Sequence, residues 1–109
     1  MSFREIGGME DLMQTIEQNE VVMADFCAHW CLPCKDMEKV LERVELETNV
    51  SIVRVDGDSC PDLMDEYNIE GYPTIIIFRN GKMSRKLLGL HDKDTIIKAL
   101  EEVKNEKQG

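Results

Sequence analysis

The sequence predicts an α/β domain built on a mixed sheet with helices packed on both faces. Three observations predict it. Two short, apolar, β-prone runs, Glu20–Cys27 and Val50–Asp56, alternate with segments of helical periodicity, as parallel strands and their crossover helices do. A third run, Thr74-Ile75-Ile76-Ile77-Phe78, is followed at once by Asn80-Gly81, the strongest short-range signal for an antiparallel hairpin. A last amphipathic segment then closes the chain.

Met9 to Asn19 sets Met9, Leu12, Met13 and Ile16 at helical spacing. Glu20 to Cys27 reads as a buried strand with neighbours on both sides. Pro33 stands near the start of the next helix, where its missing N–H costs nothing. Met37, Val40, Leu41 and Val44 give that helix an apolar stripe, and it is expected to end near Thr48-Asn49. Val50 to Asp56 is the next strand, Gly57-Asp58-Ser59 a turn, and Pro61 opens a short helix through Leu63, Met64 and Tyr67. Thr74–Arg79 and Lys82–Leu88 form the hairpin. Asp92 caps a final helix whose buried stripe is Ile96, Ile97, Leu100 and Val103, and the polar tail Lys104–Gly109 is expected to fray.

The chain has 109 residues, 42% hydrophobic and 32% charged, without repeat, low-complexity segment or linker, so residues 1–109 read as one domain. Thirteen basic against 22 acidic residues leave a net charge of −9. That balance argues against nucleic acid or an anionic membrane surface as partner, since both reward clustered Lys and Arg. No apolar run approaches bilayer-spanning length, and Met1–Gly8 lacks the apolar core of a secretory signal, so a cytoplasmic location is expected. In that compartment four cysteines point to redox catalysis or metal rather than a disulfide scaffold.

The chemistry concentrates in Cys31-Leu32-Pro33-Cys34. A strand delivers the pair to the start of a helix, where unpaired backbone N–H groups and the positive end of the helix dipole favour a thiolate. One turn separates the two thiols, so their sulfurs can bond. Cys31 is expected to be the more exposed and nucleophilic, Cys34 the more buried and resolving. The spacing alone also suits half of a zinc site. Asp25 is an acid inside an apolar strand, and burial should raise its pKa.

Several motifs in order carry a resemblance to one family. Asp-Phe-x-Ala-x-Trp-Cys-x-Pro-Cys-Lys, here Asp25 to Lys35, is similar to the active-site signature of the thioredoxins. Gly71-Tyr72-Pro73-Thr74 resembles their cis-proline loop, Phe78-Arg79-Asn80-Gly81 their hairpin, and Gly89 falls where they have a glycine. The resemblance implies the thioredoxin fold, with a central mixed sheet of four to five strands, and a protein disulfide reductase that carries two electrons. Cys31 would attack a target disulfide, and Cys34 would resolve the mixed disulfide. Asp25 would move a proton to or from Cys34, with Arg54 nearby. No cofactor is implied beyond the reversible Cys31–Cys34 disulfide. The partners implied are disulfide-containing proteins and a separate thioredoxin reductase, of the NADPH/flavin or the ferredoxin type, with the protein itself a monomer.

By the same resemblance Pro73 is cis and holds Tyr72 so that its backbone can pair with an extended target. Trp30, Leu32, Pro33, Tyr72 and Pro73 are the substrate-binding residues, with Leu90 added to the apolar rim around Cys31. His29 reads as a surface residue without a catalytic role. Three residues depart from the family: Leu32 replaces its usual Gly, Cys27 its usual Trp, and Cys60 adds a thiol in a loop. Cys27 reads as a small buried hydrophobe and Cys60 as a more exposed spectator thiol. Two alternatives stand beside the reductase. One is a zinc protein using Cys27, Cys31 and Cys34, with or without Cys60; the other is a non-catalytic thioredoxin-like interaction module.

Overall fold

Helices and strands alternate because the apolar spacing changes period along the chain, and the elements fall close to where that spacing sets them. The computed structural model describes residues 3–106. Their order is β1 (Arg4–Glu5), α1 (Met9–Gln18), β2 (Val21–Cys27), α2 (Leu32–Thr48), β3 (Ser51–Asp56), α3 (Pro61–Glu66), β4 (Thr74–Arg79), β5 (Lys82–Leu88) and α4 (Lys93–Lys104). The sheet runs β1-β3-β2-β4-β5. β1, β3 and β2 are parallel; β4 lies antiparallel to β2, and β5 to β4.

β2 is the central strand, buried from Val22 to Cys27. Its side chains alternate between two cores. Val22, Ala24 and Phe26 meet Leu12, Ile16 and Leu63 of α1 and α3. Met23 meets Met37, Leu41, Ile96 and Leu100 of α2 and α4 on the other face. Asp25 follows Met23 on that second face by strand alternation, which sets a carboxyl group in an apolar layer.

The turn chemistry is local. Asn80 and Gly81 take φ of 52° and 82°, which the two central positions of a type I′ hairpin require. Asn49 ends α2 in the left-handed region, its N–H bonded to the Glu45 carbonyl at 2.8 Å. Asp92 caps α4 by accepting from the Thr95 N–H at 2.9 Å.

Two expectations change. β1 was absent from the periodicity reading, being two exposed residues beside β3. The tail is tied down as far as Glu106. Arg79 donates to the carbonyls of Val103 and Glu106, and the Glu106 carboxylate accepts from Ser84 Oγ and, at 2.7 Å, from Arg85. The rest of the tail expected to fray, residues 107–109, and the first two residues of the expected non-signal N-terminus lie outside the described residues. No helix among the described residues is long and apolar enough to cross a membrane.

Candidate functional site

The site lies where the central strand ends. β2 stops at Cys27, Ala28 accepts the Cys31 N–H at 3.2 Å, and Cys31 becomes the N-cap of α2. Pro33 sits in the first turn, where no backbone donor is needed. Cys31 and Cys34 are joined as a disulfide with their Cα atoms 5.3 Å apart, and Cys31 Sγ accepts the Cys34 N–H at 3.2 Å. A thiolate released at Cys31 therefore already has a backbone donor aimed at it, at the positive end of a 17-residue helix.

The expected difference in exposure between the two cysteines is not present in this oxidised state, since both residues are 4% exposed. Their surroundings separate them instead. Cys31 borders an apolar pocket of about 600 Å³, walled by Trp30, Leu32, Pro33, Gly71 and Tyr72. Cys34 borders a smaller, charged pocket of about 300 Å³ with His29, Lys35, Glu38 and Arg54.

Asp25 stands opposite Arg54 of β3 on one side and Ile75 of β4 on the other. Its residue is 2% exposed, and Oδ1 has no hydrogen-bond partner. Burial pushes its pKa up to about 7, against the pull of the Arg54 charge and with the help of Glu38. The Arg54 guanidinium is shared between Glu38 at 3.6 Å and Glu5 at 4.0 Å. The second contact is an ion pair too long for a hydrogen bond, which leaves Arg54 Nε orphaned.

Of the expected substrate-binding residues, Trp30, Leu32, Pro33 and Tyr72 line the pocket beside Cys31, whereas Pro73 is buried and does not. Trp30 and Leu32 are 69% and 72% exposed. Trp30 Nε1 donates to Asp58 at 2.8 Å, and its ring meets the Tyr72 ring edge-to-face at 5.6 Å. The Tyr72–Pro73 peptide is cis, Pro73 is buried, and its carbonyl accepts the Gly89 N–H at 2.7 Å. Leu90 is half exposed but does not line the pocket, so it leaves the rim.

Cys27 is buried as expected, packed with Cys31, Cys34 and Tyr72, and burial pushes its pKa up to about 12. Cys60 corrects the sequence reading: it is 4% exposed, because as N-cap of α3 it turns inward against the α1–α3 core. His29 is exposed, with Nε2 3.4 Å from Asp56. Among the described residues, Glu5, His29 and Asp56 form the one trio of side chains with ligand atoms within 4.8 Å of one another. It contains no cysteine.

Two residues of the site escaped the sequence reading. Glu38 had a signal, since it lies four residues after Cys34 and so on the same helix face. Asp58 had none, because a turn acid carries no mark of the indole it will hold.

Comparison with known proteins agrees with this geometry. The Thioredoxin family profile matches residues 8–102. The chain is 42% identical to the thioredoxin of Chlamydia trachomatis serovar D over 81 residues, covering 73% of this chain and 79% of that protein. It is 34% identical to the thioredoxin of Mycoplasmoides gallisepticum over 94 residues, covering 85% and 94%. A mutant thioredoxin from Halobacterium salinarum superposes with a TM-score of 0.86 at 31% identity, over 99% of this chain and 95% of that one.

Proposed function

The chain belongs to the thioredoxin family and is a thiol–disulfide oxidoreductase, a protein disulfide reductase; from that premise we propose that Cys31 attacks and Cys34 resolves. Thioredoxins act on disulfide targets, need no cofactor and are recycled by thioredoxin reductase.

In the reduced protein the Cys31 thiolate attacks one sulfur of the target disulfide. A Cys31–target disulfide forms, and the other target sulfur leaves as a thiolate. Asp25, as carboxylate, takes the proton of the Cys34 thiol. The Cys34 thiolate then attacks Cys31 Sγ, and the second target thiolate leaves. Two electrons pass to the target, and the Cys31–Cys34 disulfide remains. A group that accepts and returns a proton near neutrality suits this step; what supports Asp25 is that burial pushes its pKa up to about 7 and that its Oδ1 has no hydrogen-bond partner.

Trp30, Leu32, Pro33, Tyr72 and Pro73 hold the target chain against Cys31. Residues 1–109 work as one domain, a monomer in the cytoplasm. The reductase that recycles it is of the NADPH/flavin or the ferredoxin type. The observation that carries the reading is the disulfide at the N-terminus of α2, with Cys31 bordering an apolar pocket and Cys34 a charged one. The test is insulin reduction with an external electron source, together with trapping by single-cysteine variants. Cys34→Ser should accumulate Cys31–target disulfides. Trapping by Cys31→Ser instead would reverse the two roles.

A further inference from the structure

Gly57 follows β3 at the edge of the site. Its φ lies outside the left-handed region, so what the glycine supplies there is room rather than backbone freedom. A Cβ at this position would stand 2.0 Å from Tyr72 Oη, 2.7 Å from Tyr72 Cζ and 2.8 Å from Met64 Sδ. The Gly57 backbone cannot retreat, because its N–H is bonded to the Cys27 carbonyl at 2.9 Å at the end of β2. The methionine is flexible and can turn aside. The tyrosine is a rigid ring on two torsions, and for it to clear a Cβ the whole ring must move.

Where the ring now lies matters to the pocket beside Cys31. Tyr72 reaches down over Gly57, its hydroxyl 3.9 Å from Met64 Sδ and its ring edge-to-face with Trp30. In that position it is a wall of the pocket rather than its filling; Met64 and Ile69 supply further apolar lining. Because Tyr72 already lines that pocket, a ring displaced from Gly57 can swing into it.

We propose that Gly57 is a specificity-determining residue. By leaving volume under Tyr72, it keeps open an apolar pocket that takes a bulky apolar side chain next to the target's cystine. The inference rests on the reading that Cys31 is the attacking thiol and that Tyr72 faces the target. Gly57 touches no substrate; it acts by positioning Tyr72. An apolar pocket discriminates by the apolar volume it buries, typically by about ten- to a hundredfold between a large and a small side chain.

The test uses the reduced protein and two peptide disulfides identical except for Phe or Ser beside the reacting cysteine. Bis(2-hydroxyethyl) disulfide, which has no flanking side chain, serves as the internal reference. The readout is each peptide's second-order rate constant divided by that for the reference, so a general loss of thiol reactivity cancels. The wild type should prefer the Phe peptide by about tenfold. Gly57→Ala should reduce the preference to about twofold or less. Gly57→Ala/Tyr72→Ile, which removes the end of the ring that collides, should restore it. Retained preference in Gly57→Ala, or a double variant no better than the single one, would overturn the proposal. A wild type without preference would also overturn it, since the pocket would not be selecting. A wild type whose reaction with the reference survives Cys31→Ser would overturn the underlying assignment of Cys31 instead.

Discussion

Replacing Asp25 by Asn should change stability by an amount that depends on pH, costing stability near pH 4 and adding it above about pH 7. Asp25 is 2% exposed, and burial raises its pKa from 3.8 to about 7. Below about pH 4 neither the folded nor the unfolded chain carries this charge. Between about 4 and 7 the unfolded chain loses the proton while the folded chain keeps it. The folded state then binds more protons, and wild-type stability falls as pH rises. Above about 7 both states are ionised and the folded state bears the full desolvation cost. A shift of about three units corresponds to about 4 kcal/mol at 1.36 kcal/mol per unit. The buried Asn amide also adds a constant cost of about 1–3 kcal/mol for its unsatisfied donors, which shifts the curve without changing its shape.

The measurement is guanidinium unfolding of the oxidised wild type and Asp25→Asn at intervals from pH 4 to 9. The difference in unfolding free energy should grow in favour of the variant from about pH 4 to 7 and then level. A difference that stays flat across this range would refute the claim that Asp25 is held as an unpaired buried acid. The same variant should resolve mixed disulfides slowly while Cys31 attack is less affected.

Two further outcomes follow from the same charges and burial. Glu38→Gln removes one of the two negative partners of Arg54 and a charge that raises the Asp25 pKa, so the Asp25 titration followed by carbonyl NMR should move below its wild-type midpoint. An unmoved midpoint would mean that Glu38 acts on α2 alone. In the oxidised folded protein, iodoacetamide should label neither Cys27, whose thiol is pushed up to about 12, nor buried Cys60, whereas both should label after unfolding. Rapid labelling of Cys60 in the folded state would contradict its inward placement.

Most of the fold was legible because it is written in short-range pattern. The stripe Met37-Val40-Leu41-Val44 can be buried only as one face of a helix, and Asn80-Gly81 admits few other turns. β1 was not legible, since two exposed residues have no periodicity; only pairing with β3 makes Arg4–Glu5 a strand. The cysteine pair and Asp25 stood out because a thiol pair at a helix start and an acid in an apolar strand are each costly without a use. Cys60 misled because a loop position suggests exposure, while the short helix it caps turns it inward. The contacts Trp30–Asp58 and Tyr72–Gly57 join segments 28 and 15 residues apart, and no local rule reports which turn residue will meet which ring. Equal burial of Cys31 and Cys34 was likewise invisible, because spacing says nothing of what covers each sulfur.

The bonds from Arg79 to the Val103 and Glu106 carbonyls have a practical consequence for handling the protein. Arg79 pairs with Val21 at the start of β2, whereas Cys31 lies just past the end of that strand. Seven residues of extended chain span about 20 Å. The end of α4 therefore lies at the opposite pole of the molecule to the reactive sulfur. Immobilised on a bead or an electrode by that end, the protein should present its disulfide outward, with its turnover of large substrates intact.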